Sequence, residues 1–314
     1  MCRFISGIIL KDKIKLAEDG DQSHSNLLEK MGLNDDYIGA SKTFVRAELV
    51  PIENQWWIDP QEYPESWEFC VDQDIVPEWF DLEREKYEKD FREMVYYWWK
   101  VHVLIGEEVR KLDSGYYLLK DCQVEKLAGN VCVELFNSNV DMVMDHVIVD
   151  RMRGRSVINR MKGCSCVYGM DNTSNISIMY DNTIVGAMFS RAKIFEMKGS
   201  SAVRYMREYS QVYEMANDTR IGYMTDFSMV DIMKDNSAIN EMGGCSKVQG
   251  MTDRSVVFYI LSEATINTMS GCSTVQKMEG HAKIQKMSGK AMARMWGEKN
   301  KKKKQKKQKN YLRR

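Results

Sequence analysis

Proline is nearly absent from this 314-residue chain: the four present, Pro51, Pro60, Pro64 and Pro77, all fall in the first quarter. No apolar run approaches the roughly 18 residues of a membrane-spanning helix. The start carries no signal-peptide pattern, so the expected location is the cytoplasm, with no membrane partner. The eight cysteines are irregularly spaced, which fits a reducing compartment better than a disulfide framework. CxxC and HExxH spacings are missing, and His24, His102, His146 and His281 are scattered, so no metal site is expected. Without GxxxxGK(S/T) or GxGxxG there is no phosphate-cradling loop, and no cofactor is expected.

Net charge is absent as well, but the zero total conceals an asymmetry. Residues 1–112 carry 14 Lys/Arg against 24 Asp/Glu, whereas residues 298–314 carry 10 against one. Residues 113–297 are near neutral. Such a length suits about two domains, and the charge shifts divide the chain into 1–112, 113–297 and a basic tail, 298–314.

Methionine is abundant, with 23 copies, and it is periodic. Stepping by nine from Met152 to Met287 meets Met at 15 of 16 positions, Ile260 being the exception. Three residues before each anchor stands Val or Ile in all 16 units, and five before it Ser, Thr or Ala in 15. Two after it stands Gly, Asn or Asp in 13. In a helix, nine residues turn through about 900°, which would send successive apolar positions to opposite sides. A strand places Met, the Gly position, the Ser position and Val on one face, and the two residues between Val and the next Met break that parity. The pattern therefore predicts one strand and one corner per repeat, the corner lying between Val and Met. Stacked repeats make a β-solenoid. Small inward residues require close walls, which favours two repeats per coil. Met then fills a narrow core as a flexible thioether. The Gly/Asn/Asp position is reminiscent of calcium-binding nonapeptides, but paired glycines are missing from nearly every unit and Asp stands there in only four units.

The first 112 residues have no repeat. Residues 44–50 and 67–72 read as strands, and residues from Asp81 to about Leu104 as a helix. This predicts a small α+β domain that caps the open end of the solenoid. Its candidate chemistry is Cys2, which becomes an N-terminal nucleophile if Met1 is removed, with His24 and Arg46 beside Glu48 as a polar cluster. The competing reading is a strand cysteine, a surface histidine and an Arg46–Glu48 pair. The acidic stretch 53–93, with Glu65, Asp72 and Asp74, and the nearby Trp56 and Trp57 are candidates for docking a basic partner.

Lysines dominate residues 299–309, including Lys301, Lys302, Lys303 and Lys304. They suit salt-dependent contact with nucleic acid phosphates or with an acidic neighbour. Outward aromatics on the repeats, among them Tyr205, Tyr223 and Tyr259, suggest a contact surface for a partner or a second rod. The expectation is thus a mainly β protein, a β-solenoid of nine-residue repeats capped by a small α+β domain. Its role is non-enzymatic protein binding, with homo-oligomers expected. A nucleic-acid-associated protein and an N-terminal cysteine hydrolase are the alternatives.

The segments Met1-Cys2-Arg3-Phe4-Ile5-Ser6-Gly7-Ile8-Ile9, Ser23-His24-Ser25, Phe44-Val45-Arg46-Ala47-Glu48-Leu49 and Val71-Asp72-Gln73-Asp74-Ile75-Val76-Pro77-Glu78-Trp79-Phe80 resemble a small N-terminal domain of bacteriophage and mobile-element proteins. In those proteins short β-solenoid repeats often follow it. The resemblance implies a phage or prophage origin, a bacterial cytoplasm, and a host protein, such as a defence component, as the target of inhibition. The Met1-Cys2-Arg3-Phe4 start also resembles class II glutamine amidotransferases, whose glutamine-binding and oxyanion motifs are absent here.

Overall fold

The computed structural model describes residues 4–17 and 21–295. Cys2 and Lys301 to Lys304 lie outside the described residues. Two compact units emerge, one built on residues up to 105 together with 115–120, the other on 106–114 and from 121 onward. The expected boundary at 112 thus falls inside a strand, Glu108–Lys120.

In the first unit β1 (Ile5–Leu10), β2 (Ile14–Leu16), β3 (Phe44–Pro51) and β4 (Trp67–Val71) form an antiparallel sheet in the order β2-β1-β3-β4. Two short helices, α1 (His24–Lys30) and α2 (Tyr37–Lys42), lie between β2 and β3. The expected single helix near 81–104 is two, α3 (Glu78–Leu82) and α4 (Arg84–His102). In α4, Tyr87, Phe91, Val95 and Trp98 are buried, at the spacing of one helix face.

Alternation in the strands sorts residues onto two faces. Gly7 pairs with Ala47, and a Cβ on Gly7 would stand 2.7 Å from the Phe91 ring, so the missing side chain lets α4 approach. On the opposite face Ile8 and Phe44 pack with Leu27 and Leu28 of α1. Ser6, Glu48 and Cys70 follow on that second face, because Ser6 pairs with Glu48 and Glu48 with Cys70. A half-apolar, half-polar sheet face results.

Most of the second unit is a parallel β-solenoid, whose about 11 turns run over residues 103–293. From Val157–Met161 to Lys283–Met287 each repeat gives a five-residue strand, and up to Thr274–Met278 each pairs in parallel with the strand 18 residues on. Ile158 lies opposite Ile176 and Met161 opposite Met179 on one wall, and Met152 opposite Met170 on the other. Two repeats therefore make one coil. Val, Met and the small residue all point inward: Val203, Met206 and Ser201 have zero exposure. Many of the small residues are hydroxylated and donate to the carbonyl three residues back, as Ser156 does to Arg153 at 2.7 Å and Ser174 to Asp171 at 2.7 Å. This satisfies a hydroxyl that burial would otherwise leave unpaired.

The corner is not where alternation alone places it. Parity does break between Val and Met, where the pairing register skips one residue, as at Asn159. The backbone nevertheless stays a strand from Val157 to Met161. The chain turns at the Gly/Asn/Asp position, which faces outward with positive φ, for example Gly199 at 68° and Asn217 at 56°. Only Gly, Asn and Asp adopt that left-handed conformation at low cost. Asn and Asp there also accept a hydrogen bond from the backbone N–H of the matching position one turn earlier: Gly154 N–H donates to Asn172, and Asn217 N–H to Asp235 at 2.9 Å. The preference recorded in the repeat is turn chemistry, and these carboxylates accept from backbone N–H groups.

Candidate functional site

Within the N-terminal unit the fold gathers His24, Glu48 and Asp72. Ser23 caps α1, and the first residue of that helix, His24, turns inward and is only 8% exposed, which corrects the surface reading. Its Nε2 lies 3.2 Å from the Ala47 carbonyl oxygen, and its Nδ1 lies 3.2 Å from Asp72 Oδ2 and 3.9 Å from Glu48 Oε1. Among the described residues this is the group of ligating side chains that converges, with donor atoms within 4.8 Å of one another.

Arg46 does not join this group. Its guanidinium pairs with Asp35 and stands over the Phe44 ring, so the expected Arg46–Glu48 pair is replaced by Arg46–Asp35. Asp72 and Asp74, with Arg46, Gln73 and Asp36, line an open pocket of about 560 Å³. Burial pushes the Glu48 carboxyl above its usual value; the His24 ring opposes that shift and Asp72 adds to it. Burial, Glu68 and Glu48 push the Cys70 thiol upward as well, the reverse of what a thiolate nucleophile needs.

The Glu48 shift has a stability consequence. An acid whose folded pKa is raised loses stability as pH climbs from the unfolded value, near 4.5, through the folded one. With chelator present, Glu48→Gln is therefore expected to raise the melting temperature of the N-terminal unit at pH 7. At pH 3.5, where both forms are protonated, it should leave that temperature unchanged. Tryptophan fluorescence melts at the two pH values check this.

Trp56 is only 2% exposed, its indole edge-on to Trp57 at 5.5 Å and its carbonyl accepting from Trp99 Nε1. Trp56 is thus core, because an apolar ring of that size is worth more buried than displayed. Trp57 is half-buried beneath the Lys120 ammonium. Glu65 is exposed in the short turn Pro64–Ser66.

On the solenoid, Tyr205, Tyr223 and Tyr259 are exposed as expected. Tyr205 and Tyr223 are register partners one turn apart, stacked at 5.4 Å and 13°. Tyr259 sits in the same row beyond Glu241, under the Lys277 ammonium. Tyr209 and Phe227 were not expected: they occupy the corners after the same two strands, stacked at 5.2 Å and 7°, and are 62% and 57% exposed. Their signal in the sequence is the shared position three residues after Met206 and Met224, 18 apart. Arg204, Arg207 and Arg220 are exposed on these two turns, and Arg207 stands 5.8 Å from the Tyr205 ring centre. Glu208 and Asp226, the acidic residues at these corners, accept from the N–H of Ser190 and Glu208 respectively.

Set against family models, curated proteins and solved structures, the chain matches none. Fold and sites define a class: a parallel β-solenoid of nine-residue repeats that follows a small α+β unit. No helix among the described residues is long and apolar enough to cross a membrane.

Proposed function

We propose that this protein is a non-enzymatic binding protein whose solenoid engages the acidic surface of a partner protein. One observation carries the reading: Tyr205, Tyr209, Tyr223 and Phe227 stand exposed on two consecutive turns among Arg204, Arg207 and Arg220. Tyrosine and arginine are the side chains that dominate protein-contact energies, and a rigid solenoid fixes them before binding. The rings already stack on each other in pairs, which leaves no slot for a base between them and favours a protein over single-stranded nucleic acid. The resemblance to phage proteins directs the search to a bacterial host protein, with inhibition of a defence component as the corresponding role.

The test is capture from nuclease-treated bacterial lysate by the full-length protein, beside a quadruple variant, Tyr205→Ser, Tyr209→Ser, Tyr223→Ser and Phe227→Ser. A defined acidic protein is expected, bound at least about 30-fold more weakly by the variant, the loss of about 2 kcal/mol that one hot spot gives. Capture that survives the substitutions but disappears on removing residues 298–314, or that is seen only when nuclease is left out, would replace this reading with a nucleic-acid one.

A further inference from the structure

Around His24 the fold brings one ring nitrogen and two carboxylates together, an arrangement that the binding role does not use. Its Nε2 faces the Ala47 carbonyl at 3.2 Å. A carbonyl only accepts, so Nε2 holds a proton. Nδ1 is left facing Asp72 Oδ2 and Glu48 Oε1, at 3.2 and 3.9 Å. Two carboxylate oxygens converging on one ring nitrogen call for a positive charge between them, a proton on Nδ1 or a metal ion, and the exposed Asp72 leaves the spot open to solvent on one side.

We propose that His24, Glu48 and Asp72 bind a divalent transition-metal ion, with Nδ1 and one oxygen of each carboxylate as ligands. Zinc-ligand bonds of about 2.0–2.2 Å put tetrahedral donor atoms about 3.3–3.6 Å apart, and the donor atoms here all lie within 4.8 Å. Rotation of the exposed Asp72 carboxylate supplies the remaining adjustment. The Nε2 contact is the outer support that metal-bound histidines have: a backbone carbonyl fixes the tautomer and the ring plane. Two carboxylates balance the charge of a divalent ion, and the imidazole selects zinc and its neighbours over calcium or magnesium. Three protein ligands leave a coordination position for water or a small anion. Asp72 also lines the open pocket beside it, which gives the site an approach from solvent.

The ligands come from three places the sheet brings together: the start of α1, the middle of β3, and the residue after β4. The site is independent of the aromatic surface, and its failure would leave the binding reading intact.

The experiment uses full-length protein stripped with chelator and titrated with Zn2+ alone by calorimetry under reducing conditions. A component of one ion per chain is expected, weakened at least about 100-fold by His24→Gln. Because His24 is buried, Asp72→Asn on the surface is the second variant, with about a 10-fold loss or more expected. Co2+ substitution should give visible absorption from nitrogen and oxygen ligands without a thiolate charge-transfer band. Zinc bound equally by parent and both variants would place it elsewhere, at the exposed Cys164, Cys245 or Cys272, and overturn the proposal. No binding at all would overturn it too, leaving His24 as an imidazolium held by the two carboxylates.

Discussion

Replacing Met206 by aspartate is expected to destroy the parallel ladder around it while the N-terminal unit stays folded. Met206 has no exposure and lies in register between Met188 and Met224 on one wall. A carboxylate there has no partner of opposite charge, and burying it costs several kcal/mol. Met206→Ala removes the same contacts without the charge, at about 2–5 kcal/mol. Each turn contacts only its neighbours, so damage at one turn splits the cooperative stack. Six of the seven tryptophans, Trp56, Trp57, Trp67, Trp79, Trp98 and Trp99, belong to the N-terminal unit; with the seventh, Trp296, replaced by phenylalanine, fluorescence reports that unit and far-ultraviolet circular dichroism reports mainly the solenoid. In denaturant the aspartate variant should lose the dichroism transition at much lower concentration, with the fluorescence transition unmoved. If both transitions moved together, the two units would be one cooperative structure.

The solenoid was legible because its repeat is written in residues that must be inside. A Val or Ile, a Met and a small hydroxyl recur every nine positions, and the 18-residue pairing follows from how close the walls must come. Strict alternation misplaced the corner. It counts Val and Met as breaking parity, which they do, but a strand absorbs that break, whereas reversing direction demands a left-handed residue such as Asn217. The polar cluster was half legible. His24, Arg46 and Asp72 each drew attention, yet no spacing rule connects residues 24 apart, and only the β1–β3–β4 register shows that Glu48 belongs and Arg46 does not. Tyr209 and Phe227 were missed although alternation puts the position three after Met on the outward face; with the corner assigned elsewhere, nothing marked them as standing at turns.

The corner position supplies the second large expected effect. Asn217 has φ 56°, accepts from the Gly199 N–H at 3.2 Å and donates its own N–H to Asp235. Asn217→Gly keeps the backbone conformation and loses the side-chain acceptor, so a cost of about 1 kcal/mol is expected. Asn217→Val loses the acceptor and also forces a β-branched residue into the left-handed region, which adds about 1–2 kcal/mol and brings the total to about 3 kcal/mol. Chemical denaturation followed by circular dichroism separates the two. Equal losses would mean that the hydrogen bond alone decides the residue, and a harmless valine would mean that the corner can be rebuilt. Calcium gives the complementary readout. Asp226, Asp235 and Asp253 each accept from a backbone N–H one turn earlier, so their carboxylates are held in a row along the corner rather than converged on a point. Millimolar Ca2+ should leave the unfolding midpoint of the solenoid unchanged. A rise would mean that these carboxylates can leave the backbone for an ion, and the Gly/Asn/Asp preference would then need a second cause besides the turn.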